Sequence, residues 1–258
     1  MTITEPLNLF LHIPKTGGSS LKEILRRQYQ EEQILEINPH SWIEDNALIE
    51  KEGIKALGNF GFKKMHPSDI ETFRNFADKS GSKALCGHFP FGIHEYINRP
   101  CSYLTLLRKP ETFIVSLYFE MCKSDKDEFG NKLVNEFDGL EAFAEHVHNS
   151  QTFILSGLTK YQQLIDDPQK ALDKAKENID NCFLYVGTLE KFKKSARTIS
   201  RKLGWKNNFK IEYLNKGNYK LSQINSEIFK TISAKNQLDN ELYAYAEYKY
   251  RTKFFGLF

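Results

Sequence analysis

The stretch Leu7-Asn8-Leu9-Phe10-Leu11-His12-Ile13, continued by Pro14-Lys15-Thr16-Gly17-Gly18-Ser19-Ser20, decides the fold. A run that is apolar at nearly every position reads as a strand buried on both faces, the kind found in parallel sheets. Pro14 to Gly18 break the run, and Leu21, Ile24, Leu25 and Tyr29 then recur at helical spacing. The unit is strand, tight loop, helix. Working outward, Lys83–Cys86, Ser102–Leu107 and Phe183–Val186 read as further strands. Helices are expected over Pro67–Asp78, from Pro110 onward, over Leu140–His148, Pro168–Asn178 and Glu190–Leu203, and over most of Leu221–Phe254. The rest of Ile34–Phe76 has no clear period. Strands alternating with helices predict an α/β fold, a mainly parallel central sheet with helices on both faces. With no repeats and no linker, residues 1–258 are expected to form one domain.

Composition excludes several classes. The 258 residues carry 36 Lys+Arg against 33 Asp+Glu, and 40% are apolar, which fits a soluble globular chain and not a disordered one. A net charge of +3 is too small for a typical nucleic-acid binder. The sum conceals an asymmetry. Leu189–Lys220 holds ten Lys/Arg and two Glu, so it carries +8 and the remainder 3 − 8 = −5. A solvated helix face is the plain account of such a stretch, and attraction of an anionic ligand is the functional one. The four cysteines form no Cys-x-x-Cys pair and no zinc-like cluster, so buried free thiols are expected. Asp166-Asp167 precede Pro168 and read as a turn and helix start, so no metal site is expected. No signal peptide and no membrane span is evident, and a cytoplasmic location is expected.

Ligands of open parallel sheets bind beyond the carboxyl ends of the strands. Three such ends carry suggestive residues: His12 to Ser20, Gly87-His88, and Arg108. The first has the parts of a phosphate cradle. Gly17 and Gly18 admit close backbone approach, the helix start offers N–H groups, Lys15 adds a charge, and Thr16, Ser19 and Ser20 add hydroxyls. It is not a Walker A loop, because the lysine precedes the glycines. The plainer alternative is a capped helix start, since Ser20 and Glu23 have capping-box spacing.

His12-Ile13-Pro14-Lys15-Thr16-Gly17-Gly18-Ser19-Ser20 resembles the 5′-phosphosulfate loop of sulfotransferases that use 3′-phosphoadenosine 5′-phosphosulfate (PAPS). Among these it is most similar to the carbohydrate sulfotransferases that include the heparan sulfate 2-O-sulfotransferases. Leu107-Arg108-Lys109-Pro110 with Ser116 resembles the family's 3′-phosphate element, an arginine at a strand end and a serine eight residues later. Gly87-His88 resembles its Gly-His segment, and Asn149-Ser150-Gln151 to Gly157 a middle helix often seen there. The resemblance implies a P-loop-kinase-like fold, PAPS as donor with adenosine 3′,5′-bisphosphate (PAP) as product, no metal, and an acceptor hydroxyl, expected to be on a carbohydrate. It implies a donor site of Lys15, Thr16, Gly17, Gly18, Ser19, Ser20, Arg108 and Ser116. Lys15 is the expected stabiliser of the leaving phosphate and His88 the expected general base, with His12 and His94 as rivals. Phe89, Phe91 and Tyr96 are candidates to stack on a sugar, against the commoner use as core. The loop Asn215-Lys216-Gly217-Asn218-Tyr219 is a candidate cover for the adenosine bisphosphate. Lys109 and Phe113 stand where the family often has Asp and Arg, which alters the electrostatics around the 3′-phosphate. A small-molecule or nucleotide kinase and a non-catalytic binder of anionic polysaccharide or nucleotide are the competing readings. Sugar polymers, glycolipids, small alcohols and tyrosyl hydroxyls are all compatible with these residues as acceptors, and the oligomeric state is open.

Overall fold

The computed structural model describes residues 5–37, 67–79, 81–122, 137–205 and 219–252. Five strands form one sheet: β1 (Leu7–Leu11), β2 (Ile34–Ile37), β3 (Ala84–Gly87), β4 (Cys101–Leu107) and β5 (Phe183–Thr188). Every pairing is parallel, in the order β2-β3-β1-β4-β5. The described helices are α1 (Gly18–Arg26), α2 (Pro67–Ala77), α3 (Pro110–Met121), α4 (Gly139–His146), α5 (Ser150–Ser156), α6 (Gln162–Asp166), α7 (Pro168–Cys182), α8 (Phe192–Lys202), α9 (Ser226–Lys235) and α10 (Gln237–Thr252).

Alternation along β1 explains the two-sided burial. Leu7, Leu9 and Leu11 point into the larger core, with residues of α3, α4, α5, α7, α9 and α10. Phe10 points the other way, against Leu21, Ile24 and Leu25 of α1 and Phe192, Ala196 and Ile199 of α8. Helices therefore cover both faces, as a buried parallel sheet requires. The outer face of α8 carries the exposed Lys193, Lys194 and Arg197, so this part of the basic stretch is a solvated helix surface; residues 206–218 lie outside the described residues.

Several boundaries differ from the sequence expectation. β2 was not legible, because four residues with only Leu35 fully buried show too little alternation. The tail is two helices, α9 and α10, interrupted at the buried Asn236. The capping box is not formed: α1 begins at Gly18 with Gly17 as its N-cap and no side-chain cap, which puts Ser20 inside the first turn. Glu23 pairs instead with Arg27 at 3.1 Å. Asp167 does act as a helix start, its carboxylate accepting the Lys170 N–H. Cys86 is buried and Cys101, Cys122 and Cys182 are half-buried; all four are free thiols. Among the described residues no helix is long and apolar enough to cross a membrane.

The topology sets the site. From β1 the chain crosses to β2 on one side, and from β4 it crosses to β5 on the other. The sheet thus has its switch point between β1 and β4, where a crevice opens beyond the strand ends.

Candidate active site

The β1–α1 loop is shaped by its backbone. Lys15 sits at φ 63 and Gly17 at φ 93, both in the left-handed region. For a lysine this costs of order 1–2 kcal/mol, so something must hold it. The Arg108 guanidinium does, donating from Nη1 to the Lys15 carbonyl at 2.9 Å. At Gly17 a side chain is excluded twice, by the positive φ and by Leu189, whose Cδ1 would lie 2.7 Å from a Cβ. A Cβ on Gly18 would fall inside the His12 ring. The result is bare glycine backbone at the start of α1, which carries no side-chain cap. That is an anion site in waiting.

Thr16 contributes differently from expectation. It is buried, and its hydroxyl donates to the Ile13 carbonyl at 2.8 Å, so it braces the loop from within. Ser19 is exposed and Ser20 buried at the helix start.

Arg108 follows β4 directly across the crevice. Its Nε donates to Thr112 Oγ1 at 3.0 Å and its Nη2 to the Tyr219 hydroxyl at 3.2 Å. With Nη1 on Lys15, one hydrogen remains on each terminal nitrogen, a fork suited to a phosphate. Thr112, Ser116 and Glu120 recur at intervals of four along α3 and so share a face. Thr112 meets Arg108 at one end of that stripe. Glu120 meets Lys15 Nζ at the other, at 2.8 Å. Ser116, buried, lies between them.

His12 and His88 come together at the ends of β1 and β3, their rings stacked with centroids 4.2 Å apart. His88 Nδ1 lies 2.8 Å from the His12 carbonyl. A carbonyl only accepts, so Nδ1 carries the hydrogen and Nε2 of the neutral ring is left with its lone pair. Burial, partly offset by that hydrogen bond, lowers the His88 pKa below the ordinary histidine value. Burial, then the neighbouring His88, Lys22 and Lys15, lowers that of His12 to about 3. His12 is therefore a neutral spacer between Gly18 and His88.

His94 bonds through Nδ1 to the buried Tyr103 hydroxyl at 2.9 Å. Phe91 stacks with Phe183 and packs on Tyr103, while Phe89 is 2% exposed. Tyr96 also packs against the core. All three aromatics thus pack with the core, the commoner of their two uses. In the loop 215–219 only Tyr219 is described; Asn215 to Asn218 lie outside the described residues. Tyr219 stacks on Phe119, with centroids 4.9 Å apart, and accepts from Arg108. Among the described residues no three His, Cys, Asp or Glu converge as metal ligands.

A profile described as the Sulfotransferase family matches residues 5–246. The chain belongs to the Sulfotransferase family. The match covers almost the whole chain, including every strand and helix of the site. The sulfotransferase domain is also similar to the solved sulfotransferase from Alicyclobacillus acidocaldarius, with a TM-score of 0.51, 15% identity, and 96% of each chain covered. That likeness supports the α/β, P-loop-like fold. A looser match is mouse sulfotransferase SULT7A1 complexed with PAP, with a TM-score of 0.41 and 15% identity over 80% of this chain and 60% of that one. Among curated proteins, a pantothenate synthetase from Syntrophomonas wolfei subsp. wolfei is 26% identical over 176 residues, 58% of this chain and 54% of that protein. The chain spans about half the length of that relative. The family match names no acceptor class, so the heparan sulfate 2-O-like subgroup stays with the motif resemblance alone.

Two features of the sulfotransferase site were not legible in the sequence. One is Glu120 on Lys15; its only sequence signal is the spacing of four from Ser116. The other is Gln151, whose side chain reaches the Arg108 backbone from α5.

Proposed function

We propose that this sulfotransferase-family protein transfers the sulfuryl group of PAPS to an acceptor hydroxyl, with a carbohydrate as the acceptor class. The observation that carries the reading is the junction of Arg108 with Lys15 across the β1/β4 crevice. It couples a bare helix start and a lysine on one side to a half-free guanidinium on the other, as a donor with phosphates at both its 5′ and 3′ positions requires. The residues fit that donor: the Gly17-Gly18 backbone and Lys15 suit the 5′-phosphosulfate, and Arg108 with Ser116 suits the 3′-phosphate. When bound, PAPS supplies an activated sulfuryl group on a phosphate leaving group. His88 Nε2 takes the acceptor hydroxyl proton as the acceptor oxygen bonds to sulfur and the sulfur–phosphate oxygen bond breaks. Lys15 offsets the charge gathering on the released phosphate oxygen. The carbohydrate acceptor rests on the motif resemblance.

Binding and turnover test separate parts of this reading. PAP should raise the melting temperature where ATP–Mg²⁺ does not, and labelled PAPS should label an acceptor from a panel of glycans, small alcohols and phenols. A shift with ATP–Mg²⁺ alone would favour the kinase reading. Tight PAP binding with no labelled acceptor would favour a non-catalytic binder.

Glu120 makes a further prediction. Its carboxylate pairs with Lys15 and would repel an incoming polyanion, yet it is 55% exposed. An exposed pair contributes about 0.2–1 kcal/mol. Glu120→Gln should therefore tighten PAP binding by about 1.4- to fivefold in calorimetric titration. Weakened binding would mean that Glu120 aims Lys15 instead of restraining it.

A further inference from the structure

Arg108 lies just past the end of β4, where its own N–H and C=O have left the sheet ladder; the last paired residue is Leu107, opposite Thr188. Both groups end on one side chain. The Arg108 N–H donates to Gln151 Oε1 at 2.9 Å, and Gln151 Nε2 donates to the Arg108 carbonyl at 2.8 Å. The primary amide thus stands in for a neighbouring strand, and the two bonds fix which way it points. Gln151 is 1% exposed, so water does not substitute for it.

Gln151 is itself held. The fully buried Asp239 of α10 accepts from the Gln151 N–H at 3.1 Å, and from the Thr152 N–H and hydroxyl at 2.7 Å each. The exchange is reciprocal, because Asn149 Oδ1 accepts the Leu238 and Asp239 N–H groups at the start of α10. The starts of α5 and α10 are therefore tied together by side chains in both directions, Asp239 accepting from α5 and Asn149 accepting from α10. One turn further along α10, Tyr243 donates to Glu190 at 2.9 Å, and the other oxygen of Glu190 accepts the Lys109 N–H at 3.0 Å. The Arg108-Lys109 turn is thus braced twice from α10, through Gln151 and through Glu190.

We infer that Gln151 is a positioning residue that aims Arg108 at the donor's 3′-phosphate, with Asp239 and Tyr243 of α10 as its backing. The inference rests on the reading of Arg108 as the 3′-phosphate residue. Of Arg108, Gln151 touches only the backbone. Its loss should therefore weaken ligands that carry a 3′-phosphate far more than those that do not, the smaller effect on the latter passing through the single Arg108–Lys15 bond.

The test compares PAP with adenosine 5′-monophosphate by calorimetric titration of the full chain. In Gln151→Ala the PAP dissociation constant should rise about tenfold while that of the monophosphate moves less than twofold. The KM for PAPS should rise with kcat nearly unchanged. Gln151→Glu keeps the acceptor for the Arg108 N–H but sets a second acceptor against its carbonyl in a buried site, and should show at least as large a loss with the same selectivity. Should Gln151→Ala fail to fold, Tyr243→Phe removes only the second brace and should still weaken PAP severalfold without affecting the monophosphate. Equal losses for both nucleotides, or no loss for either, in the folded variants would overturn the positioning role. A wild-type protein that binds PAP no tighter than the monophosphate would overturn the reading of Arg108, and this inference with it.

Discussion

His88→Ala should lower turnover by about 10²–10⁴-fold while leaving PAP affinity nearly unchanged. The size follows from removing a positioned base. The selectivity follows from geometry, because the ring is tied to the His12 carbonyl at 2.8 Å and the residues suited to the donor lie elsewhere, at the start of α1 and the end of β4. That tie fixes the tautomer that leaves Nε2 able to accept a proton. Burial lowers the His88 pKa, and the sign of the pH effect follows. A base works only when unprotonated, and a lowered pKa keeps it so into more acid solution. The acid limb of kcat/KM should therefore have its midpoint below the ordinary histidine value of about 6.5. His12, lowered to about 3, stays neutral through this range and should leave no mark on the profile. Normal turnover in His88→Ala, or an acid limb centred above 6.5, would sink the assignment of His88 as base.

Lys15→Ala should lower kcat by about 10²–10³-fold, the cost of removing one preorganised charge from a developing anion. Affinity for PAP should fall much less, because Arg108 and the backbone at the start of α1 remain. The split matters: a residue that only held the phosphate would raise KM and leave kcat alone. Lys15→Ala also places alanine at φ 63, where its backbone is no better suited than lysine's. Lys15→Arg keeps the charge while moving it, and should recover binding more fully than turnover. Single-turnover rates with labelled PAPS at saturating donor would measure the chemical step directly. Equal losses in binding and turnover would reduce Lys15 to a phosphate ligand.

Much of this site was legible in the sequence for a local reason. Lys15, Gly17 and Gly18 belong to one loop between a buried strand and its helix, and Arg108 with Ser116 belongs to the next such turn, so neighbours in the chain carried the pattern. Thr16 shows where local reading overreached. A threonine beside two glycines looks like a phosphate donor, yet its hydroxyl turns inward to the Ile13 carbonyl. Phe89 and Phe91 were ambiguous for a similar reason, since an aromatic before a turn looks alike whether it faces a sugar or the core, and here both pack with the core. β2 escaped because a four-residue edge strand is specified by its pairing with β3 more than by its own period.

By itself the sequence determined the two-sided burial of β1, the parallel α/β architecture and the candidate donor loops, because each is written in residues a few positions apart. Only the tertiary structure decided how those loops are joined. The Arg108–Lys15 bond spans 93 positions, the His12–His88 pair 76, and the Gln151–Asp239 bond 88. Contacts at such separations depend on which strand ends the sheet order brings side by side, and no local period or propensity encodes that.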